Sequence, residues 1–219
     1  MSGSYERVNF ITSFGFSIRW RKQLTSQFLP SKEKIEIVDL LTGIGETWNS
    51  VKQKFPNANL SALDFSSEML KRAKKKNELH FDNQVSLLQQ DILQNELPGN
   101  YYDFVICAFG IKTFDPEQLR VLANETKRIL KAGGRFSFIE ISKPENYILR
   151  TLYGFYLRYI IPFLGKVLLG NATEYKMLWR YTDKFENSKA ATEVFKSVGL
   201  AASYNSYFYS CASGFYGHK

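Results

Sequence analysis

A glycine turn and an acid one strand later are the residues of this chain whose types and spacing could bind a ligand. Residues 36–45 read Glu-Ile-Val-Asp-Leu-Leu-Thr-Gly-Ile-Gly, an apolar strand that leads into Gly43 and Gly45. Paired glycines allow a sharp turn and a close approach of the backbone to a ligand. Asp64 ends a second short apolar run about twenty residues later, where open α/β sheets place an acid that binds ribose hydroxyls. The pair therefore predicts an adenosine-binding site.

Trp48 narrows the kind of nucleotide that would fit. Dinucleotide sites use G-x-G-x-x-G, whose third glycine lets the helix pack close to the strand under a pyrophosphate. In this chain Trp48 stands at that third position, which favours an adenosine ligand without phosphates, and S-adenosylmethionine is the common one. A G-x-G alone can be no more than a strand-to-helix turn, so the ligand interpretation depends on Asp64.

Composition predicts that residues 1–219 form a single domain. The chain has 219 residues, 44% of them hydrophobic, which is ample for one core, and no linker-like run divides it. Two cysteines and two histidines are too few for a disulfide framework or a metal site, so we expect no metal and a reducing, cytoplasmic location. The N-terminus lacks a signal segment with a charged and then an apolar part.

The net charge and the apolar runs leave the kind of surface partner open. A formal net charge of +8 suits nucleic acid, anionic lipid or neither. The lysine cluster at 71–76 falls on a predicted helix and is interpreted as a solvated face. No run reaches the roughly 18 to 20 apolar residues of a membrane span. Residues 147–169, with three interspersed basic residues, look amphipathic instead.

Strand and helix patterns alternate along the chain. Strands are predicted at 35–41, 60–64, 85–89, 103–108, 135–141, 201–204 and 207–216. Helices are predicted at 5–28, 46–55, from the N-cap Ser66 onward, at 116–130, within 145–179 and at 188–198. Repeated βα units that end in an antiparallel hairpin predict an α/β fold with a doubly wound, seven-stranded, mostly parallel, Rossmann-like sheet. The terminal hairpin is typical of methyltransferases rather than of dinucleotide-binding enzymes.

Several motifs are similar to those of one enzyme family. They are Tyr5-x3-Asn9-x3-Ser13-x-Gly15-x4-Trp20-Arg21, Val38-Asp39-Leu40 with the glycine turn, Asp64-x-Ser66-x2-Met69-Leu70, the run 103–111, the run 128–135 and Ile139-Glu140-Ile141-Ser142-Lys143-Pro144. Over nearly its whole length the chain resembles the S-adenosylmethionine-dependent C-methyltransferases of ubiquinone and menaquinone biosynthesis. The N-terminal motif, Phe-Gly-Ile at 109–111 and Glu-x-Ser-Lys-Pro at 140–144 are the most specific pieces.

The fold and the resemblance together imply a cofactor site. The predicted cofactor-binding residues are Thr42, Gly43, Ile44 and Gly45 at the methionine and ribose, Asp64 at the ribose hydroxyls with Phe65 next to it in the chain, Asp91 and Ile92 at the adenine, and Ala108 and Phe109 beside the sulfonium. Asp91 has an alternative role as a turn-capping acid before Pro98 and Gly99. Asp39, in mid-strand, is expected to pair with backbone or N-terminal groups and to serve structure. Residues 1–30 form an N-terminal helical segment, and 145–185 a helical insertion that covers the acceptor.

The resemblance also implies the chemistry at the acceptor. Methyl transfer is an in-line displacement, and a quinol acceptor needs help in losing a phenolic proton. We place Lys112 and Tyr5 at the acceptor as the catalytic residues. The family usually has Arg-Asn where this chain has Lys112-Thr113, and it has other residues where this chain has Trp179-Arg180-Tyr181. Lysine keeps the charge of arginine but loses its planar fork.

Three functions remain open from the sequence. The first is C-methylation of a prenylated quinol, the second is O-, N- or C-methylation of a small soluble aromatic metabolite, and the third is a cofactor-binding subunit without turnover. The expected partner is a small aromatic acceptor and not nucleic acid, because no Pro-Pro-Tyr-type tetrapeptide follows the fourth strand. Residues 147–169 could anchor the protein at the inner face of the membrane or pack as core. A homodimer is left open.

Overall fold

The sheet order places the glycine turn near the centre of the molecule. The computed structural model describes residues 12–169 and 177–219. Its seven strands are β1 (Glu36–Leu40), β2 (Asn59–Asp64), β3 (Val85–Gln89), β4 (Tyr102–Ala108), β5 (Leu130–Ile141), β6 (Ala201–Tyr207) and β7 (Ala212–His218). They lie in the order β3-β2-β1-β4-β5-β7-β6, and only β7 pairs antiparallel, with β5 on one side and β6 on the other. The predicted seven-stranded sheet with its antiparallel hairpin is confirmed.

Helices cover both faces of the sheet and one end of it. They are α1 (Phe16–Ser26), α2 (Trp48–Lys54), α3 (Ser67–His80), α4 (Pro116–Ile129), α5 (Tyr147–Phe155), α6 (Ile161–Leu169), α7 (Leu178–Phe185) and α8 (Lys189–Ser197). A single π-helical stretch, Tyr156–Ile160, makes α5 and α6 one continuous helix. Ser66 caps α3 as predicted, since its side chain accepts the Met69 amide, and Asp115 with Gln118 forms a capping box on α4.

Alternate side chains of the central strands feed two cores. On one face Phe136, Phe138 and Phe215 pack with Phe195 of α8, and the rings of Phe138 and Phe215 stack at 5.0 Å. On the other face Trp20 and Leu24 of α1 pack with Trp48, Val51 and Phe55 around α2. Full burial of one such side chain stabilises the fold by roughly 1.5–3 kcal/mol. The two cores hold β1 and β4 rigidly, and with them the strand ends that carry the glycine turn and Phe109.

Two predicted element boundaries are wrong. Residues 207–210 were expected to begin the last strand, but Tyr207 ends β6 and the next three residues form the hairpin turn with φ of 44°, 51° and 66°. The consecutive aromatic residues at 207–209 favour a strand locally, yet the chain must reverse here to pair β6 with β7. Likewise the fifth strand was predicted to begin at residue 135, but β5 begins at Leu130, directly after α4. Gly133 and Gly134 lie inside an irregular part of the strand.

Candidate cofactor and acceptor site

A cavity of about 560 Å³ opens at the carboxyl ends of β1 and β4. The strand order reverses between these two strands, which is where open α/β sheets bind their ligands. Thr42, Gly43 and Ile44 line the cavity from the glycine turn, and Ala108 and Phe109 line it from the end of β4. These five predicted cofactor-binding residues are therefore brought together in one place.

Asp64 fixes the shape of the glycine turn. Its Oδ2 accepts the amide of Gly43 at 2.8 Å, and its Oδ1 accepts the amide of Ser66 at 2.9 Å. Gly43 and Gly45 both have positive φ, of 57° and 77°, which a residue with a side chain adopts only at a cost. A carboxylate has about four acceptor positions, so the two backbone contacts still allow a ribose hydroxyl to donate.

Trp48 occupies the space that a third glycine would leave open. Its ring lies so close to Gly45 that a Cβ on Gly45 would come within 2.4 Å of a ring carbon. The indole Nε1 donates to Thr42 Oγ1 at 2.9 Å, and Thr42 Oγ1 donates to Asp39 Oδ2 at 2.6 Å. Asp39 was expected to pair with backbone or N-terminal groups; it accepts the Thr42 side chain, and Arg21 of the N-terminal helix α1 is close enough to interact with its charge. Burial raises the pKa of Asp39 to about 7.

The residues predicted at the adenine lie outside this cavity. Asp91 is exposed and accepts the Leu93 amide at 2.9 Å, so its carboxylate does shape a turn. The Ile92 side chain is 1% exposed and packs in the core of the α4 and α8 face. Phe65, directly after Asp64, is 68% exposed. The adenine contacts of Asp91 and Ile92 and the cofactor contact of Phe65 stay predictions.

Lys112 is held at the cavity wall by a buried acid. Its Nζ donates to Glu140 Oε1 at 2.9 Å and to the Phe109 carbonyl at 3.2 Å, and its amide donates to Glu140 Oε2 at 3.2 Å. Glu140 has no exposed surface, and its Oε1 also accepts the Ile141 amide at 2.8 Å. The sequence motif contained Glu140 without giving it a role. The pair keeps a cation in a fixed position beside the end of β4.

A second charged pair also lines the cavity. Arg21 of α1 donates from Nη2 to Glu46 Oε2 at 2.5 Å, and its guanidinium carbon lies 4.8 Å from the centre of the Phe109 ring. Glu46 follows the glycine turn directly. Arg21 and Glu46 both line the cavity. Sequence reasoning named Arg21 only as part of a motif, because nothing local showed that α1 would lie across the strand ends.

The rest of the cavity is an aromatic chamber formed by Phe16, Trp20, Tyr153, Tyr156 and Phe208. Tyr153 OH donates to the Cys211 carbonyl at 3.4 Å and Tyr156 OH to the Thr12 carbonyl at 2.6 Å, so their rings have fixed positions. Burial raises the pKa of both hydroxyls, that of Tyr153 far above its usual value. Such walls suit a flat, apolar ligand. The predicted catalytic residue Tyr5 lies outside the described residues.

The continuous helix 147–169 has two faces. Its inner face contributes Tyr153, Tyr156 and Leu157 to the cavity. Its outer face, defined here as Ile148, Leu152, Phe155, Tyr159 and Phe163, is 55–69% exposed. Part of the segment therefore packs inward, as the core interpretation expects, and part stays exposed, while the membrane anchor stays a prediction. In the described ranges, no helix is both long and apolar enough to cross a bilayer.

Sequence comparison agrees with the motifs. A model of the ubiE/COQ5 methyltransferase family matches residues 1–219. The demethylmenaquinone methyltransferase of Geobacillus stearothermophilus is 30% identical over 201 residues, which covers 91% of this chain and 85% of that protein. The demethylmenaquinone methyltransferase of Listeria welshimeri is 28% identical over 203 residues, covering 92% of this chain and 84% of the relative.

Structure comparison agrees with the fold. An S-adenosylmethionine-dependent methyltransferase from Aquifex aeolicus matches with a TM-score of 0.64 and 17% identity, covering 90% of this chain and 87% of that one. A Haemonchus contortus phosphoethanolamine N-methyltransferase, solved with S-adenosylmethionine, matches with a TM-score of 0.61 and 17% identity, and the match covers 86% of this chain but 38% of the worm enzyme.

The geometry of the site fits the cofactor that the sequence predicted. Asp64 and the amide of Gly43 lie at the tip of β2 and the end of β1, where open α/β sheets bind an adenosine, and Gly43 also lines the cavity with its charged and aromatic walls. The protein is an enzyme that uses S-adenosylmethionine. With the family model matched over the whole length, the chain belongs to the ubiE/COQ5 methyltransferase family.

Proposed function

We propose that this enzyme methylates a ring carbon of a prenylated quinol, the menaquinone or ubiquinone type of acceptor. The observation that supports this most is that one cavity runs from the glycine turn to the aromatic chamber, with the cation of Lys112 at its wall. A quinol ring is flat and apolar, and it becomes reactive at carbon when a phenolic hydroxyl loses its proton. The chamber suits the ring, and Lys112 suits the phenolate.

The cofactor supplies an electrophilic methyl group on a sulfonium when it is bound. Ala108 and Phe109 line the cavity at the end of β4, and an acceptor ring seated between the aromatic walls would displace water from this place. Lys112 stabilises the negative charge of the acceptor oxygen, since a fixed cation in an apolar site acts far more strongly than one in water. Glu140 keeps Lys112 in position through both the ammonium and the amide.

The long tail of a prenylated acceptor stays in lipid, so the enzyme must meet its substrate at a bilayer. The outer face of helix 147–169 presents exposed aromatic and aliphatic side chains, and Arg150 and Arg158 lie along the same helix. Aromatic groups at the boundary with basic groups beside them are typical of interfacial helices. We include in the proposal that this face rests on anionic lipid at the inner side of the membrane, while the inner face lines the cavity.

The function is tested with a demethylated quinol that carries a short prenyl tail. The purified enzyme and methyl-labelled S-adenosylmethionine should convert it to a product heavier by one methyl group, faster than the same ring without a tail. Lys112→Met should reduce turnover at least about tenfold while the affinity for S-adenosylhomocysteine stays nearly the same. Faster turnover of tailless or unrelated soluble aromatics would favour the second function. Cofactor binding without turnover on any aromatic extract would favour the idle subunit.

The membrane contact is tested by sedimentation with liposomes. The wild-type protein should sediment with anionic vesicles at low salt and less at high salt, because salt screens surface charges. Arg150→Glu with Arg158→Glu should abolish the sedimentation. The matched control is Lys71→Glu with Lys74→Glu on α3, which makes the same change in net charge at exposed positions away from the outer face. Equal loss in the control, or no sedimentation of the wild type, would contradict the membrane contact.

A further inference from the structure

We propose that Arg21 and Glu46 bind the methionine end of S-adenosylmethionine, Arg21 through the α-carboxylate and Glu46 through the α-ammonium. This inference rests on the proposed cofactor-dependent function and adds residues to it that the motifs did not assign. In the structure Arg21 and Glu46 pair with each other. When the cofactor binds, each of them exchanges this partner for the oppositely charged group of the cofactor.

The charges around the cavity point to this pair. Among the described lining residues the ionised side chains are Arg21, Glu46 and Lys112. Lys112 is committed to Glu140, which is fully buried and has no other cation within 4 Å among the described residues. A zwitterion in this cavity needs one cation and one anion, and Arg21 and Glu46 supply one of each without changing the net charge.

The guanidinium of Arg21 is only partly used. Nη1 donates to the Ser17 carbonyl at 3.2 Å and Nη2 to Glu46, whereas Nε is buried and has no hydrogen-bond partner in the described ranges. Nε and Nη2 together form the edge that binds a carboxylate with two parallel hydrogen bonds. A buried donor without a partner is costly. Glu46 accepts only from Nη2 on this edge. The α-carboxylate of the cofactor would accept from both Nε and Nη2.

The position of the pair suits the methionine end and not the adenosine end. Arg21 lies over the ring of Phe109 at the end of β4, and Glu46 directly follows Gly45. The adenosine end is predicted at Asp64 and beyond, on the other side of β1 from β4. The sulfonium therefore lies between these two ends, beside Ala108 and Phe109.

Calorimetry with two ligands tests the inference without measuring activity. S-Adenosylhomocysteine carries the zwitterion, and 5′-methylthioadenosine has the same nucleoside and sulfur without it. Arg21→Met should weaken binding of S-adenosylhomocysteine about 10- to 100-fold and leave binding of methylthioadenosine unchanged. Arg21→Lys should lie in between, because lysine keeps the charge and loses the fork. Glu46→Gln should also weaken the zwitterion selectively.

The controls separate this inference from the fold and from the proposed function. Arg19→Met, at an exposed position of the same helix, should change neither affinity. Unchanged methylthioadenosine binding shows that Arg21→Met is folded. Equal loss of both ligands would mean that Arg21 only supports the glycine turn, and no loss would mean that other groups hold the zwitterion; each result overturns the inference. A wild type that binds neither ligand overturns it together with the proposed function. Selective loss in a protein that methylates no quinol supports the inference while the quinol proposal fails.

Discussion

The two sides of the cavity are built in different ways. The cofactor side is defined here as the ends of β1, β2 and β4 with the glycine turn. The acceptor side is defined as α1, the segment 111–113, the continuous helix 147–169, α7 and the hairpin turn. On the cofactor side short strands end in turns whose amides are held by Asp64. On the acceptor side aromatic rings from four separate elements meet, and much apolar surface remains exposed.

The difference explains where this chain departs from the pattern of its family. Lys112, Thr113 and Tyr181 stand at family departures, and all three line the cavity on the acceptor side or border it. The cofactor side must bind the same donor in every member, whereas the acceptor side can change with the acceptor. The turn itself also departs from the family pattern, with Ile44 in place of Thr and Glu46 in place of Asp, but the shape of the turn depends on its backbone and on Asp64.

The largest expected effect concerns the ion pair between Lys112 on the acceptor side and the buried Glu140. Lys112→Met removes the cation and leaves Glu140 buried without its ionic partner, which costs about 3–5 kcal/mol of unfolding free energy. Lys112→Met with Glu140→Gln should recover most of that loss, since no uncompensated charge remains. Urea unfolding of Lys112→Met, Glu140→Gln and the double variant measures the coupling energy between the two side chains. A Lys112→Met variant within about 0.5 kcal/mol of the wild type would show that Glu140 is not isolated from water.

The next effect distinguishes the two glycines of the turn. Gly45→Ala forces a Cβ into the Trp48 ring at a positive φ, and we expect a loss of about 2–4 kcal/mol. Gly43→Ala meets no atom within 4 Å and should cost only the backbone strain of about 1–2 kcal/mol. Denaturant unfolding measures both. Equal losses would mean that the Trp48 ring moves aside freely and does not define the turn.

The cofactor side could be predicted because its signals are local. Two glycines, an acid at the end of the next strand and Ser66 as an N-cap lie within a short stretch, and each follows from the conformation of its own residue. The sheet order followed from the repeated βα units and the terminal hairpin. The burial of the Ile92 side chain in the core could not be predicted, because periodicity does not tell which face a residue just beyond a strand end will share.

The acceptor side could not be predicted because its contacts are distant in sequence. Tyr156 reaches the Thr12 carbonyl across 144 residues, and Lys112 reaches Glu140 across 28. Arg21 meets Glu46 only because α1 crosses the strand ends. The hairpin turn at 208–210 was read as a strand, since tertiary pairing overrides the local preference of aromatic residues.

A substitution of Asp64 tests whether the adenosine end and the methionine end of the cofactor are bound by separate residues. Asp64→Ala removes the predicted ribose contact and the acceptor of two backbone amides, so cofactor affinity should fall by ~1.5–3 kcal/mol. The loss should be the same for S-adenosylhomocysteine and methylthioadenosine, because both carry the ribose. Calorimetry with the two ligands gives the comparison with Arg21→Met directly. Unchanged affinity would remove Asp64 from the site.

Asp39 predicts how the cofactor side responds to pH. Its pKa is about 7 in the folded protein and near 3.8 as a free side chain, so between pH 4 and 7 the native state holds a proton that the unfolded state has lost. Stability should therefore fall as pH rises through this window, by up to about 1.4 kcal/mol per pH unit, and level off above pH 7. Asp39→Asn should remove this component. Urea unfolding of both proteins at several pH values measures it, and parallel curves would contradict the raised pKa.

The smallest effect tests how the acceptor side accommodates Trp179. A Cβ on Gly154 would lie 2.9 Å from the Trp179 ring, so the glycine allows this ring to pack on the helix. The guanidinium carbon of Arg158 lies 5.8 Å from the centre of the same ring. Gly154→Ala gains helix propensity of up to about 1 kcal/mol but must displace the ring, and we expect the two effects nearly to cancel. In a Trp179→Leu background the displacement disappears, so Gly154→Ala should stabilise the protein by about 0.5–1 kcal/mol. Thermal unfolding of the four proteins of this cycle measures the difference, and the same small change in both backgrounds would mean that Gly154 and Trp179 are independent. If the two residues are independent, the residue at position 179 can change with the acceptor without a change in the helix. If they are coupled, substitutions at position 179 require matching substitutions in the helix.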